Sequence, residues 1–231
     1  MPVTLSKRDE IALISIDNPP VNAISQAVRA GLLDTVTSAL ADADIRAIVI
    51  SCVGKTFIAG ADVKEFSRPP LPPHLGDVIR IIQDSPKPII AAIHGTALGG
   101  GFEVALGCHF RIAVSTAKVG LPEVTLGLLP GAGGTQRLPR LIGVEAALDM
   151  ITSGKPISAQ KALQLGVIDE IAAGELVDAA VTLAKLVVAE GRPIRRASAL
   201  PVPAGQSVAF DTVEQDVSKK YHGLIAPLAC I

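Results

Sequence analysis

The sequence predicts an α/β protein built round a largely parallel sheet. Short runs rich in Ile, Val and Ala, such as Arg46–Ser51 (RAIVIS) and Pro88–Ile93 (PIIAAI), recur between stretches with helical spacing of apolar residues. Such runs read as strands buried on both faces. Strands alternating with helices are joined by crossovers, which make neighbouring strands parallel. The length of 231 residues suits one compact domain with a small appendage, large enough to hold its core without disulfides or metal.

The elements follow in order. Glu10–Ile16 (EIALISI) is strand-like and is stopped by the turn Asn18-Pro19-Pro20. Ser25 then caps a helix in which Val28, Leu32, Val36 and Leu40 share one face. Arg46–Ser51 is a buried strand, and Lys55–Asp62 is a glycine-containing loop. Ser67–Pro73 holds four prolines and reads as an irregular connection. Asp77–Gln83 resumes a helix, and Pro88–Ile93 is the next strand. A glycine run leads into a helix over Gly100–Leu106, and Phe110–Val114 is again a strand. Helices are expected over Thr135–Leu141, Val144–Thr152, Ala159–Leu165 and Leu176–Glu190, with a strand over Val167–Ile171. From Arg192 onward Pro193, Pro201, Pro203 and Gly205 interrupt the pattern. A catalytic domain is therefore expected over residues 1–191, and a linker or truncated C-terminal segment over 192–231. The chain stops at Ala229-Cys230-Ile231 without a recognisable ending, so a fragment of something longer is expected.

Composition removes several function classes. Twenty-one basic against 22 acidic residues leave a formal charge of −1, which offers no field to favour nucleic acid or an anionic membrane. Aromatics make up only 3%, too few for a base-stacking surface. No apolar run reaches the roughly 18 residues of a membrane span. The N-terminus, MPVTLSKRDE, is polar and carries acids, so it reads as neither signal nor transit peptide. Cys52, Cys108 and Cys230 are odd in number and unrelated in spacing, which suits a reducing compartment. The bacterial cytoplasm is the expected location, with an organelle matrix as the alternative.

The familiar glycine motifs fail. Gly95–Gly101 lacks the Lys-Ser/Thr of a phosphate-binding loop. Gly131-Ala132-Gly133-Gly134-Thr135-Gln136 puts Gln where a dinucleotide fingerprint needs Gly or Ala. There is no Gly-x-Ser-x-Gly elbow. His74, His94, His109 and His222 show no metal-ligand spacing, and no metal site is expected.

Two glycine-bearing loops and two acids remain. Ile58-Ala59-Gly60-Ala61-Asp62 follows a strand and is small enough for a ligand to approach its backbone. In Ala97-Leu98-Gly99-Gly100-Gly101-Phe102-Glu103, glycines open a helix whose first N–H groups have no internal partner and sit at the positive end of its dipole. Such donors can hold a developing anion, and Glu103 lies in that first turn. Equally, the glycines could serve close packing and Glu103 could cap the helix. Glu123, in Leu121-Pro122-Glu123-Val124, is an acid amid apolar neighbours. It is either exposed at a loop tip or held for proton transfer. Two such acids also suit a glycosidase pair, although sugar sites usually stack substrate on aromatics.

Four blocks resemble the enoyl-CoA hydratase/isomerase (crotonase) superfamily: Asn18-Pro19-Pro20-Val21-Asn22-Ala23, Phe57 to Asp62, Ala97 to Glu103, and Pro122-Glu123 through Gly127 to Leu138. They occur in family order, and the resemblance covers residues 10–190. It is strongest to the N-terminal hydratase part of multifunctional β-oxidation enzymes. It implies a crotonase-like spiral of ββα units with flanking helices. It also implies hydration of 2-trans-enoyl-CoA to 3-hydroxyacyl-CoA, with Δ3-Δ2-enoyl-CoA isomerase activity as a secondary function. A fragment that binds acyl-CoA but needs its missing domain is the alternative, and thioester hydrolysis is a third reading.

Carried over by position, Ala61 and Gly100 supply the N–H pair for the thioester oxygen. Glu103 orients and deprotonates the water, and Glu123 delivers the proton. Ala59, Gly60, Asp62 and Gly131 are implied to line the substrate, with Lys55 and Lys64 offered to the coenzyme A phosphates. No separate cofactor is implied, since coenzyme A enters as part of the acyl-CoA thioester. The implied partner is a homotrimer or a covalent or docked 3-hydroxyacyl-CoA dehydrogenase domain, with no nucleic acid or membrane. The short tail after Glu190 and the Pro-rich loop depart from single-function relatives and leave the trimer and the acyl chain length open.

Overall fold

The computed structural model describes residues 1–67, 69–203 and 209–231. The chain runs β1 (Val3–Arg8), β2 (Ile11–Ile16), α1 (Gln26–Ala41), β3 (Ala47–Cys52), α2 (Leu75–Asp84), β4 (Ile89–Ile93), β5 (Thr96–Leu98), α3 (Gly100–Gly107), β6 (Phe110–Ala113) and β7 (Lys118–Gly120). It continues through α4 (Gly134–Ile142), α5 (Val144–Ser153), β8 (Ile157–Ser158), α6 (Ala159–Leu165), β9 (Glu170–Ile171), α7 (Leu176–Ala189), α8 (Phe210–Lys220) and α9 (Ile225–Leu228). Short 3-10 turns lie at Val63–Glu65, Glu123–Leu126 and Ala197–Ala199.

Two sheets form. The larger has the order β1-β2-β3-β4-β6-β9, and the smaller β5-β7-β8. Only β1 joins the large sheet antiparallel; every other pairing in it is parallel. The chain leaves β4 for β5 and β6 for β7, so successive turns of the fold place one strand in each sheet. The architecture is the expected α/β spiral.

The large sheet is covered on both faces because its inner strands are mostly apolar at successive positions. In β3, Ile48 and Ile50 face the main core with Val28, Leu32, Val36, Ile79 and Phe102, while Ala47 and Val49 face α7 through Ala184 and Val187. Successive strand residues point to opposite sides, so an unbroken apolar run means two buried faces. Helix α3 is buried throughout. A Cβ at Gly101 would lie 2.4 Å from the Ile58 carbonyl oxygen, so only glycine lets α3 approach the loop after β3 this closely.

Several elements differ from expectation. Strand β1 was not anticipated: only Val3 of its residues is buried, so alternation leaves no trace. Strands β5, β7 and β8, of three, three and two residues, are too short to show a period. The expected strand Val167–Ile171 forms ladder pairs only at Glu170 and Ile171. The largest difference is in the tail. Within 192–231, expected as a linker or truncated C-terminal segment, the chain forms α8 and α9: Val217, Ala226 and Pro227 are buried, and α9 packs on α5. Prolines and glycine at 193–205 obscured the four-residue spacing of Val213 and Val217 that follows. Gly205 lies outside the described residues.

Candidate active site

Three connected loops build the site, and the first is fixed by an asparagine. Asn22 is 2% exposed with φ of 53°, a left-handed conformation that asparagine tolerates better than most residues. Its Nδ2 donates to the carbonyls of Val53 (2.8 Å) and Thr56 (2.9 Å), and its Oδ1 accepts from the Asn18 amide at 2.8 Å. The Ala59 amide donates to Val21 O at 3.1 Å, and Ile24 N–H to Gly60 O at 2.9 Å. The loop after β3 is thereby tied to the turn after β2, leaving the Ala61 amide at its outer edge.

The second loop is the entry to α3. Gly99 has φ of 53°, a backbone region costly for residues with a Cβ, and Gly100 is the first helical residue. A first-turn amide has no partner inside its helix. Among the described residues, neither the Ala61 nor the Gly100 amide donates to any protein group. Ala61 borders a cavity of about 480 Å³, and Gly100 is packed against two of its lining side chains. Ala61 lines it directly with Ile24, Leu75 and Leu128. A Cβ at Gly100 would meet Leu75 Cδ2 at 2.9 Å and Ile24 Cδ1 at 3.4 Å.

The two acids have different surroundings. Glu103, 2% exposed, does not cap its own helix. Its Oε1 instead accepts the amides of Ala132 and Gly134, each at 2.8 Å, at the start of α4. Burial pushes its carboxyl above the ordinary value, and the Gly134 and Ala132 amides and the Arg137 guanidinium partly offset this. Glu123 opens a 3-10 turn beside the α3 entry: a Cβ at Gly99 would lie 3.0 Å from Glu123 Oε1. Its Oε2 is buried with no hydrogen-bond partner among the described residues. Burial raises its carboxyl to about 7, its own backbone amide opposing and the charge of Glu103 adding. Both carboxyls are thus raised by burial, but amide donors and a guanidinium favour the ionised form of Glu103, whereas the charge of Glu103 further disfavours that of Glu123.

The remaining expected positions divide. Asp62 lines the cavity, and its Oδ1 also accepts the Lys64 amide at 3.0 Å to cap the turn Val63–Glu65. Ala59 and Gly60 spend an amide and a carbonyl holding the loop. Gly131 is exposed, and a Cβ there would meet only Leu129 O at 3.9 Å, so no protein atom demands glycine. Lys55 and Lys64 are exposed on the same loop. Among the described residues, no group of three or more His, Cys, Asp or Glu side chains could hold a metal ion.

Sequence reasoning assigned no role to four residues that shape the site. Asn22 was in a quoted block, but a turn asparagine looks the same whether or not it clamps a distant loop. Arg29, 8% exposed, donates to Glu65 at 2.9 Å and to the carbonyls of Pro73 (2.8 Å) and Leu71 (3.1 Å), stapling the Pro-rich loop over the cavity. Arg137 and Gln83 meet behind Glu103. The only signal was a cation within apolar spacing.

The two-sheet α/β spiral thus carries two amides without protein partners, at Ala61 and Gly100, and two acids, Glu103 and Glu123, in unlike surroundings. The chain belongs to the enoyl-CoA hydratase/isomerase family, whose profile matches residues 6–199. It is 48% identical over 223 residues to the peroxisomal bifunctional enzyme of Danio rerio, covering 96% of this chain and 31% of that one. It is 45% identical over 173 residues to a probable enoyl-CoA hydratase of Bacillus subtilis, covering 72% of this chain and 67% of that one. A Pseudomonas aeruginosa DspI structure superposes with a TM-score of 0.77 at 33% identity, over 99% of this chain and 90% of that one. The chain spans just under a third of the length of the bifunctional relatives.

Proposed function

We propose that this chain hydrates 2-trans-enoyl-CoA thioesters to 3-hydroxyacyl-CoA. The reading rests on the site's asymmetry: two amides without protein partners, Glu103 Oε1 held by two donors, and Glu123 Oε2 held by none among the described residues. The thioester oxygen accepts from Ala61 and Gly100. Addition at C3 moves an electron pair from the C2–C3 double bond toward that oxygen, and the two donors stabilise the enolate-like charge. Glu103, ionised, takes a proton from the attacking water. Glu123, protonated, gives its proton to C2, and proton exchange between the acids and solvent restores the starting state. Removing one oxyanion donor typically costs about 2.7–4 kcal/mol of transition-state stabilisation.

The chemistry uses water and the substrate thioester alone, so no separate cofactor enters. Ala59, Gly60, Asp62 and Gly131 are assigned to substrate contact, and Lys55 and Lys64 to the coenzyme A phosphates. Glu123 can also return a proton abstracted elsewhere on the acyl chain, which makes Δ3-Δ2 isomerisation the expected side activity. Three free cysteines suit a reducing compartment, bacterial cytoplasm or organelle matrix. Among the described residues, no helix is long and apolar enough to cross a membrane.

The deciding experiment follows loss of enoyl-thioester absorbance with C4 to C16 substrates, using the purified chain, Glu103→Gln and Glu123→Gln. Each variant is expected to lose two or more orders of magnitude with its fold intact; wild-type turnover in either removes the mechanism. A second reading has one supporting observation, the chain's 31% share of the bifunctional relatives. On it, acyl-CoA binds but hydration needs a 3-hydroxyacyl-CoA dehydrogenase domain, covalent or docked. Restoration of turnover by that domain supports this reading, and full activity of the chain alone refutes it.

A further inference from the structure

Behind Glu103 lies a buried chain of polar contacts that the proposed chemistry leaves unassigned. Arg137 is 8% exposed. Its Nη1 donates to Ala132 O at 2.8 Å, and its Nε donates to Gln83 Oε1 at 2.9 Å. Its backbone amide reaches Gly133 O, also at 2.9 Å. Gly133, with φ of 96°, leaves the space this guanidinium occupies: a Cβ there would sit 2.2 Å from Nη1. Gln83 is itself anchored. Its carbonyl oxygen accepts from His109 Nε2 at 2.9 Å, and His109 Nδ1 accepts the Ile89 amide at 3.0 Å. The second bond requires an unprotonated Nδ1, so the Nε2 proton must point at Gln83. The line from β4 through His109, Gln83 and Arg137 ends on the residue whose amide holds Glu103.

We propose that Arg137 is the positioning residue of the proton-accepting acid: it clamps the Ala132–Gly134 turn so that both amides converge on Glu103 Oε1, and its charge balances that carboxylate. This rests on the reading of Glu103 as the base. The arrangement separates two tasks, since the Gln83 and Ala132 contacts set geometry while the guanidinium charge sets how readily Glu103 ionises. Asp84 bears on Arg137 as a further charge, and Glu103 in turn bears on Glu123, whose charge reaches Cys230. Neutral His109 stands behind Gln83. Removing the Arg137 charge removes an influence that lowers the Glu103 carboxyl. Glu103 then ionises at higher pH, and the acidic limb of the rate profile moves toward the limb set by Glu123.

The test compares Arg137→Gln, Arg137→Lys, Gln83→Met and Glu103→Gln in the full chain, with crotonyl-CoA hydration followed from pH 5 to 9. Arg137→Gln is expected to lower kcat on the order of a hundredfold, as small misplacements of a reacting group do. Its KM should be unchanged and its acidic limb raised. Arg137→Lys, which restores charge without the fork, brings the limb back while leaving most of the kcat loss. Gln83→Met frees Nε with the charge in place, so kcat falls and the limb stays. The Glu103 carboxyl followed by 13C NMR, assigned by its absence from Glu103→Gln, reads the same midpoint without turnover. A merely structural Arg137 would lower thermal stability and leave limb and midpoint in place. A wild-type limb and midpoint in Arg137→Gln overturn the inference. If that variant does not fold, a wild-type kcat in Gln83→Met overturns it. Wild-type turnover in Glu103→Gln instead overturns the site reading beneath it.

Discussion

Replacing Glu123 by Gln should make the protein more stable and less active at the same time, and the stability gain should depend on pH. The folded carboxyl sits at about 7 against an ordinary 4.5, because burial disfavours its charge and Oε2 has no partner among the described residues. A raised acid means that the folded state holds its proton more tightly than the unfolded chain. Wild-type stability from this group is therefore fully present below pH 4.5 and declines as pH climbs to about 7, beyond which the cost is constant. At about 1.36 kcal/mol per pH unit, the gap corresponds to roughly 3.4 kcal/mol as an upper bound. Glu123 is only partly buried, and solvent screening reduces this to about 1–2 kcal/mol. Glutamine keeps the shape and cannot ionise. Urea unfolding of both proteins at pH 4 and pH 8 checks this: curves should nearly coincide at the lower pH, with the variant ahead by about 1–2 kcal/mol at the higher. Hydration by the same variant should fall about 10²–10⁴-fold. An equal stability difference at both pH values would mean that Glu123 is not held against ionisation, and the assignment of the proton donor would lose its physical basis.

Substitutions at three further positions probe the frame of the site. Gly100→Pro removes one proposed oxyanion N–H at the first helical position, and Gly100→Ala adds the same Cβ against Leu75 while keeping that N–H. The kcat of the proline variant should fall about 10²–10³-fold below that of the alanine variant with the far-ultraviolet circular dichroism unchanged, and equal turnover in the two would exclude that amide from the chemistry. Asn22→Ala leaves the Val53 and Thr56 carbonyls and the Asn18 amide unpaired. It should cost about 3 kcal/mol in urea unfolding at about 1 kcal/mol per bond and weaken acyl-CoA binding by loosening the Ala61 loop. Stability loss without a change in binding would separate the clamp from the cavity. Gly101→Ala drives a Cβ against the Ile58 carbonyl at 2.4 Å and should destabilise by about 3 kcal/mol through overpacking, read as a drop of about 6–12 °C in Tm.

What the sequence makes legible depends on how far apart the cooperating residues lie. The large sheet is readable because strands buried on both faces carry unbroken apolar runs, Ala47–Ile50 in β3 and all of β4, a signal contained in four or five consecutive residues. The Gly99–Glu103 and Ala59–Asp62 segments are also legible locally, as small residues at a helix entry and a strand exit. Pattern alone left Glu103 suspended between cap and catalyst. The choice turns on Ala132 and Gly134, which lie 29 and 31 positions away, and no window along the chain contains both ends of those bonds. The same holds for Asn22 with Thr56, 34 positions apart, and Arg137 with Gln83, 54 apart.

The difference between the two acids is likewise a property of assembly. Glu103 and Glu123 are identical as residues, and each sits among apolar neighbours in sequence. Their opposed tendencies arise because the α4 entry presents two amides to one and the folded chain presents nothing to the other's Oε2. A carboxyl oxygen buried without a donor disfavours the ionised form, so Glu123 costs the fold stability once pH rises through its raised value, and the pH-dependent gain expected of Glu123→Gln measures that cost directly.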